Sequence, residues 1–212
     1  MTILEIHDLI IKIDKHFILG PINIAIKKNS VIGIIGENGS GKSSLLYAIT
    51  KLLPYSHGQI YFKTKDIRFA FQQAIFYPNK SVIENLRIFS KLRLVSEIEL
   101  LNVLIYFEIE ELKNIQFKKL SEGNKKRLEI IQAILSKPEL VLFDEPTANI
   151  DEKGIFLFNQ IIEKLKEDNV TILITNHYPK ELLKYCTEFL ILKNGKQIDF
   201  LSKTDFIQKY DA

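Results

Sequence analysis

The densest chemical signal in the sequence is the run Gly36-Glu37-Asn38-Gly39-Ser40-Gly41-Lys42-Ser43. It satisfies G-x-x-x-x-G-K-[ST], a spacing in which a glycine-rich turn aims successive backbone N–H groups at phosphate oxygens. The glycines let the backbone curl through conformations that other residues resist. Lys42 supplies a point charge for β- and γ-phosphates, and the Ser43 hydroxyl can bind Mg²⁺; Ser44 adjoins the same surface. A second run, Leu140-Val141-Leu142-Phe143-Asp144-Glu145, is apolar until it closes on two acids. Asp144 suits Mg²⁺, directly or through water. Glu145 suits orienting and deprotonating an attacking water, a general-base task. Together the two runs imply attack of water on a nucleoside triphosphate, with ATP and Mg²⁺ as the expected ligands.

Both runs need particular elements to hold them. Val31–Ile35 is a short β-branched run ending at a glycine, as a buried parallel strand would. A helix is expected from about Lys42 through Leu45, Leu46, Ile49 and Leu52–Leu53, stopped by Pro54. The loop then sits between a strand and the positive end of a helix, where anions bind. Leu140–Phe143 reads as another buried strand, and ligands of parallel sheets lie at the carboxyl ends of strands, which delivers Asp144 to the phosphates. Elsewhere Ile3–Ile13 alternates in part and Ile22–Ile26 strictly, and Gly58–Phe62 and Ile67–Phe71 also read as strands. From Ser81 to about Lys119 the apolar spacing is helical, with Phe89, Tyr106, Phe107 and Phe117 as core aromatics. Further helices are expected over Gly123–Ser136, Ile155–Leu165 and Pro179–Tyr185. A strand is expected over Val170–Thr175, and a hairpin through Phe189–Leu192, Gly195 and Ile198. Helices alternating with short apolar strands imply an α/β fold with a largely parallel core sheet.

Composition sets the bounds. The chain has 212 residues, enough to bury a core, and a formal charge of +3 from 29 basic and 26 acidic residues. That small excess gives no reason to expect nucleic acid as a partner. The single cysteine, Cys186, reads as a small core residue and fits a reducing compartment. The N-terminus lacks a signal-peptide pattern. No apolar run approaches the ~18–20 residues that span a bilayer. The expectation is a soluble chain that works at a membrane, if at all, by docking on another protein.

Four further segments complete a pattern. Leu120-Ser121-Glu122-Gly123-Asn124 is followed by Lys126-Arg127; Gln72 stands in Phe71-Gln72-Gln73; Ala148-Asn149-Ile150-Asp151 and His177 follow the acids in order. With the phosphate loop and the acid pair, they resemble the nucleotide-binding subunit of ATP-binding cassette (ABC) transporters over nearly the whole chain. The resemblance implies a P-loop NTPase core with a mainly parallel sheet, an antiparallel β subdomain and a small helical subdomain. It divides one domain, 1–212, into a nucleotide-binding core (1–73 and 122–212) and a helical subdomain (74–121). It implies that two such subunits, alike or different, bind head to tail. Ser121 and Gly123 of one would then cap the γ-phosphate of ATP held by the other's loop, at a helix N-terminus suited to anions. It also implies that His177 contacts the γ-phosphate and holds the water, that Gln72 senses Mg²⁺ and water, and that Asp151 mediates between the two sites. Gln73 is the competing choice for the glutamine.

The chain departs from the family pattern in two places. Glu122 stands where glycine is usual and Asn124 where glutamine is usual. A carboxylate pointing at a γ-phosphate ~4 Å away would cost about 4 kcal/mol at an effective dielectric near 20, so an outward pose and weakened capping are expected. The family's adenine-stacking aromatic comes from the loop Asp14-Lys15-His16-Phe17-Ile18, where Ile13, His16 and Phe17 remain alternatives. If Ile13 is the stacking residue, base selectivity should be poor. Val82-Ile83-Glu84-Asn85-Leu86-Arg87-Ile88-Phe89 followed by Leu120-Ser121-x-Gly123-Asn124-Lys125-Lys126-Arg127-Leu128, with the early end of the chain, is most similar to the exporter branch. The implied partner is an integral membrane permease, with Ile75, Phe76, Tyr77 and Pro78 either facing it or joining the lobe's core. The implied place is the inner face of the cell membrane, reached through that permease. The alternative is a soluble ABC ATPase without a transport role, such as one for Fe–S cluster assembly.

Overall fold

The computed structural model describes residues 1–15, 17–70, 76–93, 95–135, 137–148 and 150–210, with the side chains of 91–93 set aside. Two sheets form. The first is antiparallel, in the order β2 (Ile18–Lys27), β1 (Thr2–Lys12), β4 (His57–Phe62). The second has six strands in the order β5 (Ile67–Ala70), β6 (Leu140–Phe143), β7 (Thr171–Asn176), β3 (Val31–Ile35), β8 (Glu188–Lys193), β9 (Lys196–Ser202). All its neighbours are parallel except β9, which returns antiparallel to β8.

The broken alternation of the first strand has a physical cause. Leu4 and Ile6 are buried at even positions, Leu9 and Ile11 at odd ones. The pairing slips between Ile6 and Leu9, where Asp8 takes a left-handed φ of 48°. One extra residue flips the phase of a strand, so both halves keep their apolar side chains on the same face. Gly58 lies opposite the bulge, and a Cβ there would fall 2.5 Å from the Asp8 carbonyl oxygen.

Strands β3, β6 and β7 are buried on both faces, which explains why they read as continuous apolar runs rather than alternating ones. One face, with Ile32, Ile34, Leu142 and Leu173, packs on the antiparallel sheet and on α1 (Lys42–Ile49). The other, with Ile35, Val141, Phe143 and Ile174, packs on the helices α2 (Val82–Arg93), α3 (Glu97–Tyr106), α4 (Glu122–Ile134) and α5 (Glu152–Glu167). Within the helical stretch, Ser96 and Glu99 form a reciprocal capping box at the start of α3. The buried Asn85 holds the preceding turn: it accepts from Tyr77 N–H (2.8 Å) and donates to the carbonyls of Tyr77, Lys80 and Ser81. Phe76 is buried and stacks on Phe117 at 4.7 Å, while Tyr77 is exposed. Phe107 is fully buried, but Tyr106 is exposed rather than a core aromatic.

Several boundaries differ from expectation. Helix α1 stops at Ile49, five residues before Pro54. Lys51 turns left-handed (φ 62°), and the N–H groups of Leu52 and Leu53 both close on Tyr47 O. The apolar pair therefore belongs to a helix-ending turn rather than a further turn of helix. Helix α5 starts earlier than Ile155 because Asp151 caps it, and α6 (Pro179–Leu182) ends before Tyr185. An unexpected helix, α7 (Lys203–Tyr210), closes the described chain. Its signal was present: Ser202 accepts from Asp205 N–H (3.2 Å), and the next residue, Phe206, stacks on Phe189 at 4.4 Å.

Candidate active site

The phosphate loop leaves the carboxyl end of β3, in the middle of the six-stranded sheet. Gly36 has no room for a side chain, since a Cβ would lie 2.3 Å from Leu192 O and 2.4 Å from Ser40 Oγ. Gly39 and Gly41 turn through φ of 79° and 106°, and α1 begins at Lys42. Ser40 is buried with its hydroxyl unpartnered among the described residues. Lys42 is buried too, and its ammonium donates to the carbonyls of Gly36 (2.9 Å) and Glu37 (3.2 Å). The loop thus holds its own lysine over its mouth. A cavity of about 620 Å³ opens there, lined by Asn38, Gly39, Gly41, Lys42, Ser43, Ser44 and Glu145, with Ile13, Asp14 and Phe17 on its far wall. Glu37 is exposed and is not part of that lining. Ile13 and Phe17 both reach the cavity, whereas His16 lies outside the described residues.

Parallel register brings the acids to the loop. Phe143 is level with Ile174, so Asp144 comes out beside Thr175; Ile35 is level with Asn176, so Gly36 comes out beside His177. Asp144 is 1% exposed. Its Oδ1 accepts from Ser43 Oγ (3.0 Å) and Thr175 Oγ1 (2.7 Å), while its Oδ2 has no partner among the described residues. A buried carboxylate oxygen without a donor is costly, and a cation next to Ser43 would satisfy it. Burial and, after it, the Asp144 carboxylate push the Tyr47 phenol above its ordinary value. Glu145 takes a left-handed backbone (φ 44°), held by its N–H donating to Thr175 Oγ1 at 2.8 Å. Such strain in a residue other than glycine persists where the surroundings enforce it. Its Oε1 lies 3.5 Å from Lys42 Nζ and 3.8 Å from His177 Nδ1. One carboxylate thus stands between Lys42 and His177, in the lining of the cavity.

Comparison with known proteins decides the family. Residues 19–148 match the ABC transporter family. An uncharacterized ABC transporter ATP-binding protein of Bacillus subtilis, YybJ, is 33% identical over 204 residues, covering 91% of this chain and 94% of that one. The lantibiotic transport ATP-binding protein SrtF of Streptococcus pyogenes is 30% identical, covering 92% and 89%. The linearmycin resistance ATP-binding protein LnrL of Bacillus subtilis is also 30% identical, covering 92% of this chain and 68% of its own. A solved ATP-binding subunit of an ABC transporter superposes with a TM-score of 0.90 at 24% identity, over 99% of this chain and 94% of that one. The chain belongs to the ABC transporter family. It is the ATP-binding subunit, and its activity is hydrolysis of ATP coupled to transport.

The remaining family positions of this ABC subunit stand elsewhere. Ser121 caps α4 by accepting from Asn124 N–H (3.3 Å), and Gly123 follows in the first turn, where an added Cβ would meet nothing within 4 Å. The Glu122 side chain is 80% exposed and pairs with Lys125 at 2.6 Å. Asp151 caps α5 by accepting from Gly154 N–H (2.8 Å), with Arg127 at 3.5 Å; those contacts, the cap first, hold its carboxyl below the usual range. None of Ser121, Gly123 and Asp151 lines the phosphate cavity of its own chain. Gln72, Gln73 and Asn149 lie outside the described residues. Sequence reasoning missed Thr175, since a lone hydroxyl just after the apolar run Ile172–Ile174 carries no distinctive spacing. Cys186 is buried as expected.

Proposed function

We propose that this subunit drives export of a peptide-, drug-, lipid- or haem-like cargo through a separate membrane permease, by ATP-driven closure of a dimer of such subunits. The relatives named for lantibiotic transport and linearmycin resistance support export. No helix among the described residues is long and apolar enough to cross a membrane. Attachment at the inner membrane face is therefore assigned to the permease. Residues 74–121 serve as the helical subdomain that meets it, with the exposed Tyr77 on that surface. The core comprises 1–73 and 122–212.

The mechanism rests on one observation: the unpartnered Asp144 Oδ2 lies beside Ser43, with Glu145 between Lys42 and His177. The backbone N–H groups of 36–43 and the end of α1 bind the phosphates of ATP. Lys42 exchanges its two loop carbonyls for phosphate oxygens. Ser43 and Asp144, with Gln72, hold Mg²⁺, which when bound offsets the charge of the β- and γ-phosphates. Hydroxyl, carboxylate and phosphate oxygens suit that hard cation, and a denser acidic cluster is not required. Glu145 accepts a proton from the attacking water, and His177 orients that water against the γ-phosphate. Ser121 and Gly123 cap the γ-phosphate from a second subunit, weakened by the neighbouring Glu122. Asp151 relays between the paired sites.

The test is Glu145→Gln, which keeps shape and removes the base. The variant should bind ATP, lose about 10²-fold or more in turnover, and accumulate as a closed dimer on size-exclusion chromatography. Wild-type turnover removes Glu145 from its role. Co-purification from native membranes with an integral membrane protein tests the permease; finding only soluble partners defeats the transport assignment.

A further inference from the structure

Glu181 lies in the single turn of α6, outside every motif discussed so far. Its Oε2 accepts two hydrogen bonds from different strands' loops. One comes from Asn176 Nδ2 at 2.8 Å, the last residue of β7. The other comes from Thr147 Oγ1 at 3.3 Å, in the turn after β6. These two loops carry the reacting side chains: Thr147 is two residues beyond Glu145, and Asn176 immediately precedes His177.

The ties run further in both directions. The Asn176 side chain is buried, and its Oδ1 accepts from Tyr178 N–H at 2.7 Å, so the one amide brackets His177 on both sides. On the other loop, Ala148 N–H closes on Glu145 O at 3.1 Å, which makes Thr147 part of the turn that fixes Glu145. Glu181 itself is anchored by its own N–H to Tyr178 O at 3.3 Å. We propose that Glu181 is a positioning residue: its carboxylate clamps the Glu145 turn to the His177 turn and sets the 3.8 Å between those two side chains.

Physical reasoning favours this over a purely structural role. Strands β6 and β7 are already paired along their length and packed on both faces. The clamp adds nothing to that ladder. It acts only beyond the strand ends, where loops are otherwise free to shift. Bonds to a carboxylate are about twice as strong as neutral ones. Without Glu181 the buried Asn176 amide keeps a donor with no acceptor and is free to rotate, which releases Tyr178 N–H and the His177 backbone together.

The inference rests on the roles proposed above for Glu145 and His177, and the experiment separates the two. ATPase kinetics, ATP affinity by a fluorescent analogue and thermal melting are measured on the full chain for Glu181→Ala, Glu181→Gln, Thr147→Val and Glu145→Gln. Misplacing reacting groups by up to an ångström costs up to about 10²-fold. Glu181→Ala should therefore lose about 10- to 100-fold in kcat, with ATP affinity within about twofold of wild type. Glu181→Gln keeps an acceptor oxygen and should stay within about threefold in kcat. Thr147→Val, which removes the longer bond alone, should lose about threefold or more, and it decides the matter if Glu181→Ala does not fold. Wild-type kcat in Glu181→Ala, or in Thr147→Val where that variant decides, overturns the clamp. So does a loss confined to affinity or melting temperature. If Glu145→Gln is inactive while Glu181→Ala is not, the clamp alone falls. If Glu145→Gln keeps wild-type turnover, the underlying assignment falls and the clamp with it.

Discussion

Thr175→Val removes one oxygen atom and nearly preserves shape, at the point where two motifs meet. The Thr175 hydroxyl is fully buried, donates to Asp144 Oδ1 at 2.7 Å and accepts from Glu145 N–H at 2.8 Å. A valine there leaves the Glu145 N–H without its acceptor, which costs about 1–3 kcal/mol when buried. It also takes a donor from a carboxylate, worth about 1.5–3 kcal/mol. The two overlap because relaxation of one eases the other, so about 3 kcal/mol is expected. At about 2–4 °C per kcal/mol for a domain of this size, the melting temperature should fall by about 6–12 °C. Turnover should fall more than stability implies. The lost bond is one that holds Glu145 at its left-handed φ, and a relaxed backbone carries the carboxylate away from the water, at about 10- to 100-fold in kcat. Thr175→Ser restores the hydroxyl and sheds one methyl, at about 0.8 kcal/mol, so it should recover most of the rate. Differential scanning fluorimetry and a coupled ATPase assay read both effects. A valine variant that melts within 2 °C (about one kcal/mol) of wild type and hydrolyses ATP at the wild-type rate refutes the reasoning.

Burial raises the Cys186 thiol well above its ordinary pKa, so native protein should resist thiol reagents at pH 8 and react only at the rate of unfolding; prompt labelling would contradict that. Burial, then its bond to Asp199, pushes the Tyr210 phenol up to about 12. A raised acid favours its neutral form in the folded state. Its contribution is therefore complete below about pH 10, the ordinary phenol value, and is lost as pH rises from there to about 12. The absorbance at 295 nm that disappears in Tyr210→Phe should titrate near 12 and move toward 10 in Asp199→Asn. Gly123→Ala should leave the isolated subunit as stable or about 0.5 kcal/mol more so, yet slow ATP-driven dimerisation; unchanged dimerisation would remove Gly123 from the shared site.

What the sequence made legible is the chemistry that depends on spacing along the chain. The loop 36–43 needs its glycines where they are because Gly36 packs against the Leu192 carbonyl and Gly41 turns left-handed; such demands are local and leave a pattern. The buried strands were legible for a similar reason, since burial on both faces forces continuous apolar runs. Thr175 and Glu181 left no pattern. Each acts across strands, through one hydroxyl or one carboxylate oxygen meeting a residue about thirty positions away, and the register that joins them exists only once the sheet is built. The ends of α1 and α5 were misjudged because side-chain periodicity cannot see a left-handed Lys51 or a capping Asp151.

Gly123 belongs to a third class, and it bears on where the site is completed. Most glycines here are explained inside the chain: Gly20, Gly33, Gly36, Gly41, Gly58, Gly154 and Gly195 would each drive a Cβ within 3 Å of a neighbour. Gly123 is helical, its φ is ordinary, and a Cβ would meet open space. Helix propensity alone prefers alanine there. Nothing among the described residues accounts for glycine, and the proposed dimer supplies a reason from outside the subunit. The exposed first turn of α4 offers free N–H groups and the positive end of its dipole. A partner's γ-phosphate arriving at that turn needs the backbone uncovered, which a missing side chain provides. In the proposed dimer Glu122 works against the same approach by charge, and Lys125, paired with it at 2.6 Å, offsets part of that charge. In the proposed dimer, the half of the site around Gly36 has no room for a side chain, while the half at Gly123 stands open.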